Sequence, residues 1–189
     1  MSLTVEKCLQ AWTNSFRQMN VKADIAFFGD SLTYYGNFSS VFPDKVVCNL
    51  GLRGDTINGM IERVEQVKIL EPKVVYLMAG INDVGCMSTD DFYYLYTILV
   101  ETLIYVDSIE TLVIQSILPV NSERFKISCN NSQIRACNSR ISEIAYEHGL
   151  RYIDLYSLYD KEGQLPQSLT RDGLHLNAEA YHFWYNSLY

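Results

Sequence analysis

Five short apolar runs recur along this chain, at residues 23–28, 45–50, 73–79, 111–116 and 151–155. Each has the length of a strand and is rich in Val, Ile, Leu or aromatic residues. Runs that stay apolar instead of alternating read as parallel strands covered on both faces. Between them the apolar spacing becomes helical. Leu3, Val5, Cys8, Leu9, Trp12 and Phe16 predict a helix over residues 3–19. Ile57, Met60, Ile61, Val64 and Val67 form one face of a predicted helix that starts at Thr56 and ends before Pro72. Ser88, followed by Asp90 and Asp91, places a capping side chain and early acids at the positive end of a helix running to about Val106. Another helix spans residues 131–148 and is stopped by Gly149, and a last aromatic helix starts at Ala178. Residues 34–43 read as irregular and aromatic, and the loop 121–128 as polar.

Strand and helix alternate with no repeat, linker or low-complexity tract. This predicts a single α/β domain over residues 1–189: three α/β/α layers around a five-stranded parallel sheet. Right-handed crossovers suit the flavodoxin-like order 2-1-3-4-5. In that order four turns, at residues 29–31, 51–56, 80–83 and 172–175, fall at the carboxyl end of the sheet. Open α/β sheets place their ligands there.

Composition narrows the possible partners. The 189 residues are 48% hydrophobic and 20% charged, which suits a globular chain large enough to build its own core. A formal charge of −7 argues against a nucleic-acid partner, because phosphate neutralisation needs clustered Lys and Arg. No stretch approaches a membrane span, and the N-terminus lacks a basic-then-apolar leader pattern. The five cysteines, Cys8, Cys48, Cys86, Cys129 and Cys137, are odd in number and show no metal-like spacing. A reducing, cytoplasmic setting is therefore expected, with Cys48 read as a small buried hydrophobe. The 14 tyrosines either edge the core or line a carbohydrate-facing surface.

Ser31 follows the first apolar run directly, in Gly29-Asp30-Ser31-Leu32. Such a serine serves either as a helix cap or as a nucleophile. A hydroxyl becomes a useful nucleophile only when a neighbouring base takes its proton. Of three histidines, His148 ends a helix and His182 lies among aromatic residues of the last helix; His175 alone sits in a turn after the strands. Asp172, three residues earlier, is close enough to orient its ring. Acyl transfer also needs donors for the developing oxyanion. Gly51 and Gly54 let a backbone turn present amides, and Asn82 carries a side-chain amide. The GxSxG elbow is absent, since Thr33 stands in the second glycine's place, and neither GxGxxG nor the Walker pattern occurs.

Together these stretches resemble the SGNH (GDSL-type) hydrolases. Gly29-Asp30-Ser31-Leu32 is similar to that family's first block, Gly51-Leu52-Arg53-Gly54-Asp55-Thr56 to its second, and Gly80-Ile81-Asn82-Asp83 to its third. Asp172-Gly173-Leu174-His175 resembles its last, and the order is the family's own. The second block looks most like the platelet-activating-factor acetylhydrolase-like branch. The resemblance implies Ser31 as nucleophile, His175 as general base and acid, and Asp172 as the orienting carboxylate. It also implies an oxyanion hole made by the Ser31 amide, the Gly54 amide and the Asn82 side chain. The Tyr34-Tyr35 pair and the helix before the first strand depart from the family pattern.

The expected activity is hydrolysis of a small-molecule ester through an acyl-enzyme, with no metal or organic cofactor. Short connections leave little apolar wall for a long acyl chain, so an acetyl ester of a small polar alcohol or carbohydrate is the expected substrate. Transfer to an acceptor other than water, or thioester cleavage, would use the same residues. A non-catalytic flavodoxin-like binding module is a further reading. A metal-dependent phosphoesterase built on Asp30, Asp83, Asp172 and His175 is the remaining one.

Overall fold

A computed structural model describes residues 14, 15, 17, 18, 21–125 and 129–189. The apolar runs become β1 (Ile25–Gly29), β2 (Val47–Gly51), β3 (Val74–Met78), β4 (Thr111–Gln115) and β5 (Arg151–Ile153). All pair in parallel, in the expected order β2-β1-β3-β4-β5. Gly29 lies level with Gly51 on one side and Met78 on the other, so three strands end together and their following turns emerge side by side. Every residue of β1 is buried, as its unbroken apolar sequence requires.

The helices are α1 (Ser31–Tyr34), α2 (Ile57–Glu62), α3 (Val64–Leu70), α4 (Thr89–Ile104), α5 (Asn131–Glu147), α6 (Leu155–Tyr159) and α7 (Ala178–Asn186). They flank the sheet on both faces. α4 buries Phe92, Tyr96, Leu99, Val100 and Leu103, and α5 buries Ile134, Cys137, Ile141, Ile144 and Ala145. These are the i, i+3, i+4 stripes that drive helices onto a sheet, each large side chain contributing about 1.5–3 kcal/mol. On the opposite face Phe27 is stacked between Phe38 and Tyr76, with centroids at 3.8 and 4.7 Å. Trp184 of α7 meets Phe38 edge-on at 5.3 Å. The irregular aromatic stretch is therefore a packing plate between the central strands and the last helix.

Several expectations are corrected. The helix predicted from Thr56 to Pro72 is two helices, joined at Arg63 with φ −113° and ψ 15°. The break lets the Arg63 side chain turn inward, where four acceptors hold it. The last strand ends at Ile153, because Asp154 caps α6 by accepting the Ser157 N–H. Cys48 is half-buried instead of fully buried. Asn121, in the loop read as polar, is buried and donates its side-chain amide to Leu165 O; residues 126–128 of that loop lie outside the described residues. Asn14, Ser15, Arg17 and Gln18 are helical as expected, while Leu3, Val5, Cys8, Leu9, Trp12 and Phe16 lie outside the described residues. Among the described residues no helix is long and apolar enough to cross a membrane.

Candidate active site

At the end of β1 the chain turns sharply, and Asp30 takes the capping role by accepting the Leu32 N–H at 2.8 Å. Ser31 is thereby freed from capping and becomes the first residue of α1. It is only 5% exposed, and its Oγ lies 2.9 Å from His175 Nε2. Burial pushes the Asp30 carboxyl up to about 7, although the Leu32 N–H opposes the shift. The side chain is a turn-builder with a desolvated acid.

His175 is held by its own turn. One oxygen of Asp172 accepts the N–H groups of Leu174 and His175, at 3.0 and 2.8 Å. The other lies 2.6 Å from His175 Nδ1. Thr170 Oγ1 accepts the Gly173 N–H and donates to His175 O, both at 2.9 Å. Gly173 has φ +96°, a conformation suited to glycine, and its carbonyl accepts the Asn121 N–H at 2.8 Å. Partial burial is the largest single influence on Asp172 and raises its pKa. The imidazole hydrogen bond and the two backbone donors together outweigh it and hold the carboxyl below its ordinary range. An ionised Asp172 assigns the proton to Nδ1 and leaves Nε2 to accept from the Ser31 hydroxyl.

The donor side is built by the second and third turns acting on each other. Gly54 sits at φ +71°. Asn82 donates one Nδ2 hydrogen to Asp55 O at 2.8 Å, which orients the amide and leaves its second hydrogen available. Asp83 accepts the Ile57 N–H with both oxygens, at 3.1 and 3.3 Å, and so ties the third turn to the start of α2. Burial raises Asp83 to about 6. Asn49 bridges to the first turn, donating to Thr33 O and Gly36 O while accepting from Gly51 N.

The result is one open cavity of about 420 Å³ lined by Ser31, Arg53, Gly54, Asn82, Leu174 and His175, with Asp172 behind the imidazole. All five residues singled out from the sequence thus meet at one place. A larger hollow of about 560 Å³, between α5 and α6, contains Arg135, Tyr152 and Asp160 and has no histidine on its wall. Among the described residues no group of three or more His, Cys, Asp or Glu side chains is arranged to hold a metal ion. In the phosphoesterase reading Asp30 and Asp83 would be ligands, but one oxygen of Asp30 accepts the Leu32 N–H and both oxygens of Asp83 accept the Ile57 N–H.

Sequence reasoning missed Arg63. It is 3% exposed, bonds Asp55 at 2.6 Å, and donates to Leu50 O, Gln66 Oε1 and Gly29 O at 2.8, 3.2 and 2.9 Å. Its guanidinium also lies 4.3 Å from the Phe28 ring centroid. This one side chain ties together the carboxyl ends of β1 and β2 beneath the site. An arginine three residues after Met60, on the predicted apolar face, was the available indication. Burial lowers the Arg63 pKa and raises that of Asp55 despite their pairing, so the pair is held at a desolvation cost.

Comparison with known proteins places the chain in a family. The model of the GDSL-like Lipase/Acylhydrolase family matches residues 27–183, which include all four turns. The chain is 25% identical over 169 residues to an N-acylneuraminate cytidylyltransferase of Streptococcus agalactiae, covering 87% of this chain and 37% of that protein. It thus spans little more than a third of the length of the curated relatives it matches. A solved structure from Streptococcus pneumonia, provisionally named a platelet activating factor, superimposes with a TM-score of 0.82 at 23% identity, over 100% of this chain and 98% of that one. A variant of an acetyl-xylooligosaccharide esterase from Geobacillus Stearmophilus gives 0.72 at 17% identity, over 89% and 93%. The structural likenesses establish the shared fold. The family match establishes more: the chain belongs to the GDSL-like lipase/acylhydrolase family.

Proposed function

We propose that this acylhydrolase is a serine esterase that removes a short acyl group, foremost acetyl, from a small polar alcohol such as a carbohydrate. The observation that carries the reading is the continuous relay from Ser31 Oγ to His175 Nε2 at 2.9 Å and from Nδ1 to Asp172 at 2.6 Å, opening onto one cavity. His175 takes the hydroxyl proton as Ser31 Oγ attacks the ester carbonyl. The oxyanion is received by the N–H groups of Ser31 and Gly54 and by the free Asn82 amide hydrogen. Collapse expels the alcohol, protonated by His175. A water deprotonated by the same ring then attacks the acyl-enzyme, releasing the acid and restoring Ser31.

The short acyl group is supported by the wall of the cavity, where Leu174 is the one residue with an apolar side chain among the described residues. A long chain would find little surface to bury. The carbohydrate reading draws on names: one structural neighbour is an acetyl-xylooligosaccharide esterase and the curated relatives are N-acylneuraminate enzymes. The test is intact-mass and peptide mass spectrometry after a fluorophosphonate, with p-nitrophenyl esters from acetate to octanoate assayed in parallel. The expected results are one adduct on Ser31, no turnover by Ser31→Ala, and rates that fall as the chain lengthens. A folded Ser31→Ala protein with full acetate turnover would overturn the mechanism, and a preference for octanoate would overturn the acyl length.

A further inference from the structure

Two guanidinium groups lie against Tyr35 beside this site, and ester cleavage as described above uses neither. Arg53, next to Gly54, lines the cavity that holds Ser31 and His175. Its Cζ lies 5.9 Å from the ring centroid of Tyr35. Arg171, next to Asp172, places its Cζ 4.8 Å from the same centroid. Tyr35 in turn meets the His175 ring edge-on at 5.5 Å. Two cations and the candidate base are thus organised around one aromatic ring.

Neither arginine is paired with a carboxylate among the described residues, where Arg17, Arg63 and Arg140 each are. Arg171 is anchored through its Nε, which donates to Leu176 O at 2.9 Å. Among the described residues no carboxylate lines the cavity, and Arg53 is the one permanently charged group on its wall. A guanidinium against an aromatic face keeps its N–H groups directed outward from its edge, in the fork that matches a carboxylate or phosphate.

We infer that the alcohol portion of the ester carries an anion, a carboxylate or a phosphate, which Arg53 binds at the cavity mouth with Arg171 reinforcing the field and Tyr35 holding both cations in place. The inference rests on the esterase reading and names the class of substrate that reading leaves open: the acetyl ester of a sugar acid or sugar phosphate, or of an alcohol with equivalent charge. Arg53 would then be a binding residue that sets specificity, acting on the leaving alcohol and not on the carbonyl.

The test compares three acetyl esters of one hexose skeleton: the uronic acid, its primary amide and the hexose phosphate. Acetate release gives kcat/KM for each with wild type, Arg53→Gln and Arg171→Gln, at low and high salt, with p-nitrophenyl acetate and Ser31→Ala run alongside. Wild type is expected to favour at least one anionic ester over the amide by on the order of ten- to a hundredfold, chiefly through KM. Arg53→Gln should remove most of that preference, Arg171→Gln part of it, and high salt should shrink it in wild type. A lead for the uronic acid or for the phosphate identifies which anion is bound. Equal kcat/KM for the acid, the phosphate and the amide in wild type would overturn the inference, as would a preference undiminished in both arginine variants. If p-nitrophenyl acetate turnover still depends on Ser31, that outcome leaves the esterase reading standing; turnover that survives in Ser31→Ala would bring down the esterase reading itself.

Discussion

Arg63→Met tests how the floor of the site is held together. Methionine fills much of the same volume and keeps contact with Phe28, but it leaves the buried Asp55 carboxylate without its cation. Removing one partner of a buried pair costs about 3–5 kcal/mol. The hydrogen-bonding losses add little here, because Gly29 O keeps the Leu52 N–H at 3.0 Å and Asp55 keeps the Thr56 N–H at 3.1 Å. A loss of about 3–5 kcal/mol is therefore expected, a large share of the roughly 5–15 kcal/mol typical of a folded domain. The loss should depend on pH in a definite direction. Burial already holds Asp55 above its ordinary range with Arg63 present, and without the cation it must rise further. A raised acid favours the folded state at low pH and ceases to do so as pH climbs through its folded pKa, so the deficit should be smaller at pH 5 than at pH 8. Adding Asp55→Asn removes the stranded charge and should restore much of the loss. Urea unfolding followed by far-UV circular dichroism at both pH values measures all of this. A deficit below about 1.5 kcal/mol, or one that is the same at both pH values and in the double variant, would refute the reasoning.

Two further perturbations probe the machinery around Ser31. Asn82→Ala should keep its fold and lose roughly a hundred- to a thousandfold in kcat, since an oxyanion donor acts mainly in the transition state; a fall of less than about tenfold in steady-state assays would remove Asn82 from the oxyanion hole. Asp30→Asn keeps an oxygen for the Leu32 N–H but has no proton to lose. With a folded pKa of about 7 against an ordinary 3.8, wild-type Asp30 favours the folded state below pH 4 and loses that contribution as pH rises to 7. On the order of 4 kcal/mol of pH-dependent stability should therefore vanish in the variant between pH 4 and 8. Chemical denaturation at a series of pH values checks this, and parallel wild-type and variant curves would show that Asp30 is not a desolvated acid.

The positions of the strands were readable because a buried parallel strand needs an unbroken apolar run, a short-range property. The same holds for α4, opened by Ser88, and for α5, closed by Gly149. The end of the last strand was not readable, because Leu155 continues the apolar run as well as it starts a helix; the Asp154 cap on Ser157 decides between them. The role of Arg63 was hard to read for a related reason. Its neighbours Met60, Val64 and Val67 keep helical spacing through the break, and only the acceptors waiting on β1 and β2 explain why the chain bends there.

What the sequence by itself determined is the local chemistry: which turns end the strands, and which serine, histidine, carboxylate and amide those turns carry. Parallel topology then placed the turns after β1, β2 and β3 at one end of the sheet, since each follows the carboxyl end of a parallel strand, whereas the turn with Asp172 and His175 follows α6 and was brought there by packing. The tertiary structure alone decided the relations between distant residues. Ser31 and His175 are 144 residues apart and meet at 2.9 Å. It also turned Asp30 and not Ser31 into the cap, and gathered Arg53, Arg171 and His175 around the Tyr35 ring. None of these pairings leaves a periodic trace along the chain, because each depends on how separate elements pack and not on the conformational preferences of neighbouring residues.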